Sequence, residues 1–223
     1  MELAALKYNV IVHSHTTEEL ESVREEIKER YPDVTVVCLG QDASTKVDWP
    51  GFMDQITDLN ITVLVNNVGT YQPVPCNTLD MATDEQIEQV VHTNTIFPFQ
   101  LTRNLLPTLI KNSPSLILTM CSAATYMPMP FLGVYCGTKS SNLAWAEALC
   151  YELRLMKKDV TCKAVMTGKV SSFGFNVPTG PLIPTAQVYA KSMLARANHP
   201  GPVYNGYWRH TLQVMSVTAL VVS

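Results

Sequence analysis

Apolar and polar positions along the chain follow two rhythms. Val10-Ile11-Val12 is a short apolar run that breaks into polar residues, Val34 to Leu39 is a second, closed by Gly40-Gln41-Asp42, and Ile61 to Val65 is a third. Unbroken β-branched runs of this kind predict strands buried on both faces, as in a parallel sheet. Leu116-Ile117-Leu118 and Thr161 to Met166 repeat the signal later in the chain. Between these runs the period changes to a helical one. Thr16 and Glu19 have the spacing of a capping box, and Leu20, Val23, Ile27 and Tyr31 then share one helical face until Pro32. Longer helical patterns cover Asp84 to Lys111 and Tyr135 to Met156, and another begins near Thr185. Strands alternating with helices predict an α/β fold, a doubly wound parallel sheet of Rossmann-like type.

Composition narrows the class. The chain has 223 residues, 47% apolar and 16% charged, with a net charge of −3, which suits one globular domain over residues 1–223. No Lys/Arg cluster marks a nucleic-acid footprint. Six cysteines without CxxC spacing read as reduced thiols and an intracellular setting, and five scattered histidines offer no metal-ligand spacing. The N-terminus lacks a basic leader followed by a long apolar run. The apolar segment from Leu212 to Val222 is too short for a helix spanning a bilayer, which needs about 20 residues. Packing and contact with a membrane surface both remain open for it.

The chemistry gathers around Tyr135-Cys136-Gly137-Thr138-Lys139, with Ser122 thirteen residues before the tyrosine. Tyr and Lys four apart on a helix lie on one face, about 5–6 Å apart at Cβ. An ammonium that close is expected to favour the phenolate and lower the phenol pKa, fitting Tyr135 for general acid–base work. Ser122 follows a strand, where open α/β sheets present ligand-binding residues, and is placed to hydrogen-bond a reacting carbonyl. Asn66-Asn67-Val68-Gly69 follows another strand, and Asn94 interrupts a helical stretch.

Taken together, this NNxG turn, the Asn94-Ser122-Tyr135-Lys139 set and an aspartate after a strand resemble the short-chain dehydrogenase/reductase family. The resemblance covers essentially the whole chain from Ala4 onward. It implies that Tyr135 donates or accepts the substrate proton, that Lys139 tunes it and holds a nicotinamide ribose, that Ser122 orients the carbonyl, and that Asn94 anchors a relay water. It further implies that Asp42 contacts adenine, that Asn66 and Gly69 line the adenosine side, and that Ser172 meets the nicotinamide amide. The implied reaction is hydride transfer between a nicotinamide and a carbonyl or secondary alcohol. No acidic residue follows the Val10–Val12 strand, where Ser14 and His15 stand instead. NADP(H) is therefore expected over NAD(H), with His15 on the ribose-phosphate side or simply solvated before a helix. Family members often dimerise through the long helices, here Asp84–Lys111 and Tyr135–Met156.

Within the family, Leu64 to Gly69 and Val188-Tyr189-Ala190…Asn205-Gly206-Tyr207-Trp208…His210 resemble the branch of 17β-hydroxysteroid dehydrogenases and very-long-chain 3-oxoacyl-CoA reductases. That branch implies a bulky apolar substrate (a 3-oxoacyl chain, steroid or related lipid) and a cytoplasmic or endoplasmic-reticulum-surface location. Met127, Met129, Phe131 and Leu132 are either one wall of such a pocket or loop filler.

One part of the family pattern is expected and not found: the opening strand with its TGxxxGxG turn, whose backbone amides would face the cofactor pyrophosphate. Leu3 to Asn9 reads as the end of the helix that would follow it, so the domain is expected to be N-terminally shortened, its first strand missing. Thr167-Gly168-Lys169-Val170-Ser171-Ser172-Phe173-Gly174 nearly reproduces the turn, but Pro178 and Pro181 follow where a helix must begin. Ser216 to Val222 has a composition suited to the vacant position, or to an apolar tail. The alternative to an active reductase is a family derivative without redox turnover, a binding or regulatory protein or a proton-transfer isomerase.

Overall fold

The computed structural model describes residues 1–71, 78–172 and 174–212. They form two compact units, Met1–Thr57 and the remainder from Asp58. In the first unit, the short helix α1 (Glu2–Ala5) precedes β1 (Val10–Ser14), α2 (Thr17–Arg30), β2 (Val36–Gly40) and α3 (Trp49–Asp54). β1 and β2 pair in parallel from Val10↔Val36 to Ser14↔Gly40. Their apolar support is a small cluster of Ala4, Ile27 and Val34, with Val10, Val12 and Val36 packed against it. α2 begins where expected, but Thr16 makes no side-chain cap bond. Glu19 is instead held by the Ser14 hydroxyl at 2.9 Å, which breaks the anticipated box.

The second unit contains β3 (Val63–Asn66), α4 (Asp84–Val91), a π-helical turn (His92–Ile96), α5 (Phe97–Lys111), β4 (Ser115–Met120), α6 (Gly133–Leu155), β5 (Val160–Met166), α7 (Ala186–Ala195) and β6 (Val203–Asn205). Its sheet has the order β3-β4-β5-β6, all parallel. The two faces are covered differently, as the pleat requires. Leu118, Met120 and Val165 point to one face, against Tyr189 and Met193 of α7. Positions of opposite parity point to the other, where the Cys162 thiol reaches the Ala146 carbonyl of α6. Helices on both faces of a parallel sheet are the doubly wound arrangement expected.

The expected helix over Asp84–Lys111 is interrupted. Thr83 and Gln86 form a complete capping box at its start. The five residues of the π turn then widen the coil at His92–Ile96, between α4 and α5. β6 and α3 have no clear counterpart in the hydropathy pattern, β6 because three residues are too few to show a period. Ser216–Val222 lies outside the described residues. No described helix is long and apolar enough to cross a membrane.

Candidate functional site

Parallel strands leave their carboxyl ends on one edge of the sheet, and the polar residues of interest in the second unit begin there. Gly69 follows β3, Ser122 follows β4, and Thr167 follows β5. α6 brings Tyr135, Thr138, Lys139 and Asn142 to one face, at positions i, i+3, i+4 and i+7.

Lys139 is only 5% exposed. Its Nζ donates to the carbonyl of Met120, the last residue of β4, at 2.9 Å. Neither ion pair found among the described residues involves it. Burial lowers its pKa, opposed by the neighbouring Cys121 thiol. Gly69 lies against this ammonium: a Cβ there would stand 3.1 Å from Lys139 Nζ and 3.4 Å from Asn94 Oδ1. A cation held by one carbonyl, beside a backbone that keeps its side-chain space clear, has donor directions left for a polyhydroxylated ligand.

Asn94 sits in the π turn, fully buried. Its side-chain amide closes a two-bond bridge with the backbone of Thr70: Nδ2 donates to the carbonyl at 2.7 Å, and Oδ1 accepts from the N–H at 2.7 Å. Nδ2 also donates to the Thr138 hydroxyl at 2.9 Å, while the Asn94 carbonyl accepts from Asn142 at 2.8 Å. π turns occur often at functional sites, and here the widened coil turns an asparagine inward between the strand-end loop and α6. Thr70, Thr138 and Asn142 are site residues that the sequence motifs do not single out. The polar face of α6 carries a readable signal for the last two.

Tyr135 is partly buried, with Lys139 Nζ 5.9 Å from its ring centroid. Its pKa moves up, chiefly because burial disfavours the phenolate; a hydrogen bond with Ser122 opposes this, and the Cys136 and Cys121 thiols add to it. The expected lowering by Lys139 is therefore corrected. Burial acts on both partners, and the ammonium is engaged by Met120. Ser122 Oγ also accepts from the N–H of Ala124 at 3.1 Å. Cys121 beside it is pushed up to about 12 by burial, so it remains a neutral thiol.

Asn66 is buried rather than open on the strand-end edge. Its Nδ2 donates to Thr102 of α5 at 2.9 Å and to Thr119 of β4 at 3.4 Å, and its Oδ1 is buried without a partner. Its side chain ties β3 to its neighbours, which leaves Gly69 and the backbone as the open part of the turn. Ser172 is exposed, its backbone paired with Phe175 through two bonds of 3.1 Å. In the first unit, His15 and Asp42 are exposed just beyond the ends of β1 and β2, and the Asp42 carboxylate accepts from the Ser44 N–H at 2.8 Å. Among the described residues, no group of His, Cys, Asp and Glu could hold a metal ion.

The chain is similar to known proteins. A family model described as short chain dehydrogenase matches residues 1–176. The chain is 28% identical over 229 residues to a very-long-chain 3-oxoacyl-CoA reductase of Aspergillus terreus, covering 99% of this chain and 64% of that one. Another of that name, from Ajellomyces capsulatus, is 33% identical over 156 residues, 69% of this chain and 46% of the relative. The chain thus spans a little under two thirds of the first relative's length. Among solved structures, a 7beta-hydroxysteroid dehydrogenase superposes with a TM-score of 0.81 at 16% identity, covering 95% of this chain and 82% of that one. A Sphingobium yanoikuyae short-chain dehydrogenase in complex with NADPH gives 0.79 at 18% identity, covering 100% and 88%. Likeness at such identities is one of fold.

Proposed function

The chain belongs to the short chain dehydrogenase family, and from that premise we propose that it is an NADP(H)-dependent oxidoreductase acting on the carbonyl, or the corresponding secondary alcohol, of a bulky apolar substrate. The observation that carries this reading is the convergence of Ser122, Tyr135, Lys139 and Asn94 at the carboxyl edge of one parallel sheet. The nicotinamide, when bound, supplies or accepts the hydride.

The chain's own groups supply the rest. Tyr135, kept protonated by burial, gives its hydroxyl proton to the carbonyl oxygen in the reducing direction. Ser122, thirteen residues before Tyr135 and just past the end of β4, holds the same oxygen in line. Lys139, buried and in no ion pair among the described residues, offers its remaining N–H groups to ribose hydroxyls. Re-protonation of Tyr135 runs through the Asn94 side of the site. The missing side chain at Gly69 leaves room for the Lys139 ammonium beside the strand-end turn. Ser172 serves the amide of the nicotinamide. His15, rather than an acidic residue, directly follows β1, and this, together with the NADPH complex of a structural relative, favours NADP(H).

An apolar rim supports the substrate class. Tyr126, Met129 and Phe131 are 52%, 43% and 58% exposed on the loop between Ser122 and α6. The relatives' name adds the specific suggestion of a long 3-oxoacyl chain. The reading includes a homodimer through α5 and α6, in favour of which stand exposed Tyr151 and Leu155 on α6. It also includes work at an intracellular membrane surface, where such substrates partition.

Titration with NADPH, followed by ketone reduction, tests the reading. Binding at micromolar cofactor is expected, with Tyr135→Phe lowering kcat by about 10²–10⁴-fold while the variant still binds NADPH. A folded chain that ignores millimolar NADPH would assign this protein to the non-redox alternative, a binding or proton-transfer role.

A further inference from the structure

His210 is 1% exposed, bonds a backbone 42 residues away in sequence, and has no part in the mechanism above. Both of its ring nitrogens are used by the stretch just after β5. Nδ1 accepts from the N–H of Gly168 at 3.0 Å, which leaves Nε2 to donate to the Lys169 carbonyl at 3.2 Å. This is the bonding pattern of one neutral tautomer. Burial, opposed by the carbonyls of Lys169 and Leu182, holds the pKa of the ring below its usual value and so favours that form. The ring stacks on Tyr189 of α7 at 5.8 Å between centroids and meets Tyr207 edge-on at 5.2 Å. Tyr189 in turn shares a 2.6 Å hydrogen bond with the Thr167 hydroxyl. A Cβ on Gly206 would run into the Tyr189 hydroxyl, so the turn after β6 must be glycine for this packing to exist.

The loop held in this way leads straight to the candidate site. The Thr167 carbonyl accepts from the N–H of Ala123 at 2.9 Å, and two residues earlier along each segment the Cys121 N–H bonds the Val165 carbonyl. The backbone on either side of Ser122 is therefore anchored to the backbone that His210 and Tyr189 fix. We infer that His210, with Tyr189, is a positioning residue for Ser122, acting through the Thr167–Gly168 backbone and its bond to Ala123.

The catalytic meaning of this inference rests on the reading proposed above; the positioning itself does not. Amide exchange in the full chain tests it, with the Ala123 amide as the decisive probe because His210 does not touch it. His210→Phe keeps a stacked ring and deletes both bonds, and the Ala123 amide is expected to exchange about tenfold faster or more. His210→Gln retains an acceptor and a donor and is expected to restore most of the protection. In ketone reduction, the Phe variant is expected to lose about tenfold in kcat at unchanged KM for NADPH, with rescue by Gln. Wild-type exchange at Ala123 in folded His210→Phe would overturn the positioning, and faster exchange with unaltered kcat would overturn its catalytic meaning. Should His210→Phe not fold, Tyr189→Phe, which deletes only the hydroxyl bond to Thr167, decides in the same way: faster Ala123 exchange supports positioning and unchanged exchange overturns it. If wild type itself neither binds NADPH nor reduces ketones, the proposed function fails, while the exchange result still decides whether His210 organises this segment.

Discussion

The two sheets of this chain are built from similar residues and supported very differently. Every residue of β1 is only partly buried, and β2 buries Leu39 alone. In β4 and β5, all but Leu116 and Thr161 are buried. The difference comes from neighbours: among the described residues, each strand of the β1–β2 pair has one hydrogen-bonded partner, whereas β4 and β5 each have two, with helices above and below. Chemistry is distributed in the same way. His15 and Asp42 stand exposed beyond the lightly supported pair, while Asn94, Lys139 and the backbone around Ser122 are cross-bonded at the edge of the well-supported sheet. On the function proposed above, the groups that hold a reacting atom in place sit on the well-supported sheet and those that only recognise sit where side chains can adjust.

The largest expected effect tests that contrast directly. Ile117→Ala, in a side chain wholly buried in β4, should cost about 2–5 kcal/mol in chemical denaturation. Val12→Ala, in half-buried β1, should cost about 1 kcal/mol. Equal costs would remove the distinction between the sheets. Next in size, Gly69→Ala brings a Cβ to 3.1 Å from the Lys139 ammonium. It should weaken NADPH binding about tenfold while leaving the melting temperature almost unchanged, since the displaced atom is the tip of a flexible side chain.

Acid sharpens the comparison further, because each unit contains one histidine whose pKa burial lowers, His13 in the first and His210 in the second. The unfolded chain takes up these protons first as pH falls below about 6.5. Stability contributed by the neutral rings is therefore full above that pH and is lost as pH descends through the folded-state values. Melting temperature should fall over that range, less steeply in His210→Gln and in His13→Gln. The smallest effect belongs to the exposed positions: His15→Ala and Asp42→Ala should change stability by no more than about 0.5 kcal/mol, with any loss appearing in NADPH affinity.

Five strands can be read from runs of β-branched residues because burial on two faces needs such runs, and α6 from a long uninterrupted helical pattern. The site residues are legible where chemistry demands a residue type at a fixed spacing, as with Tyr135 and Lys139. The illegible part depends on distance through space. Thr16 and Glu19 have the right letters for a capping box, yet Ser14 takes the glutamate, while the box that does form joins Thr83 to Gln86. Asn66 reads as a turn residue and serves to join β3 to α5 and β4. The direction of the Tyr135 shift depends on burial, which no spacing reveals. His210 stands out in sequence only as part of a branch pattern, and its bonds to Gly168 and Lys169 come from folding alone.

The π turn at His92–Ile96 has a consequence for how this chain can vary. Such a turn amounts to an α-helix with one additional residue, and each residue added or removed rotates the downstream helix by about 100°. A single-codon deletion anywhere in the turn would restore ordinary α pitch and swing either Asn94 or the apolar face of α5 out of place. Substitution at its outward positions is a mild change, but alteration of its length is not. This stretch should therefore resist gaps far more strongly than the letters of its sequence suggest.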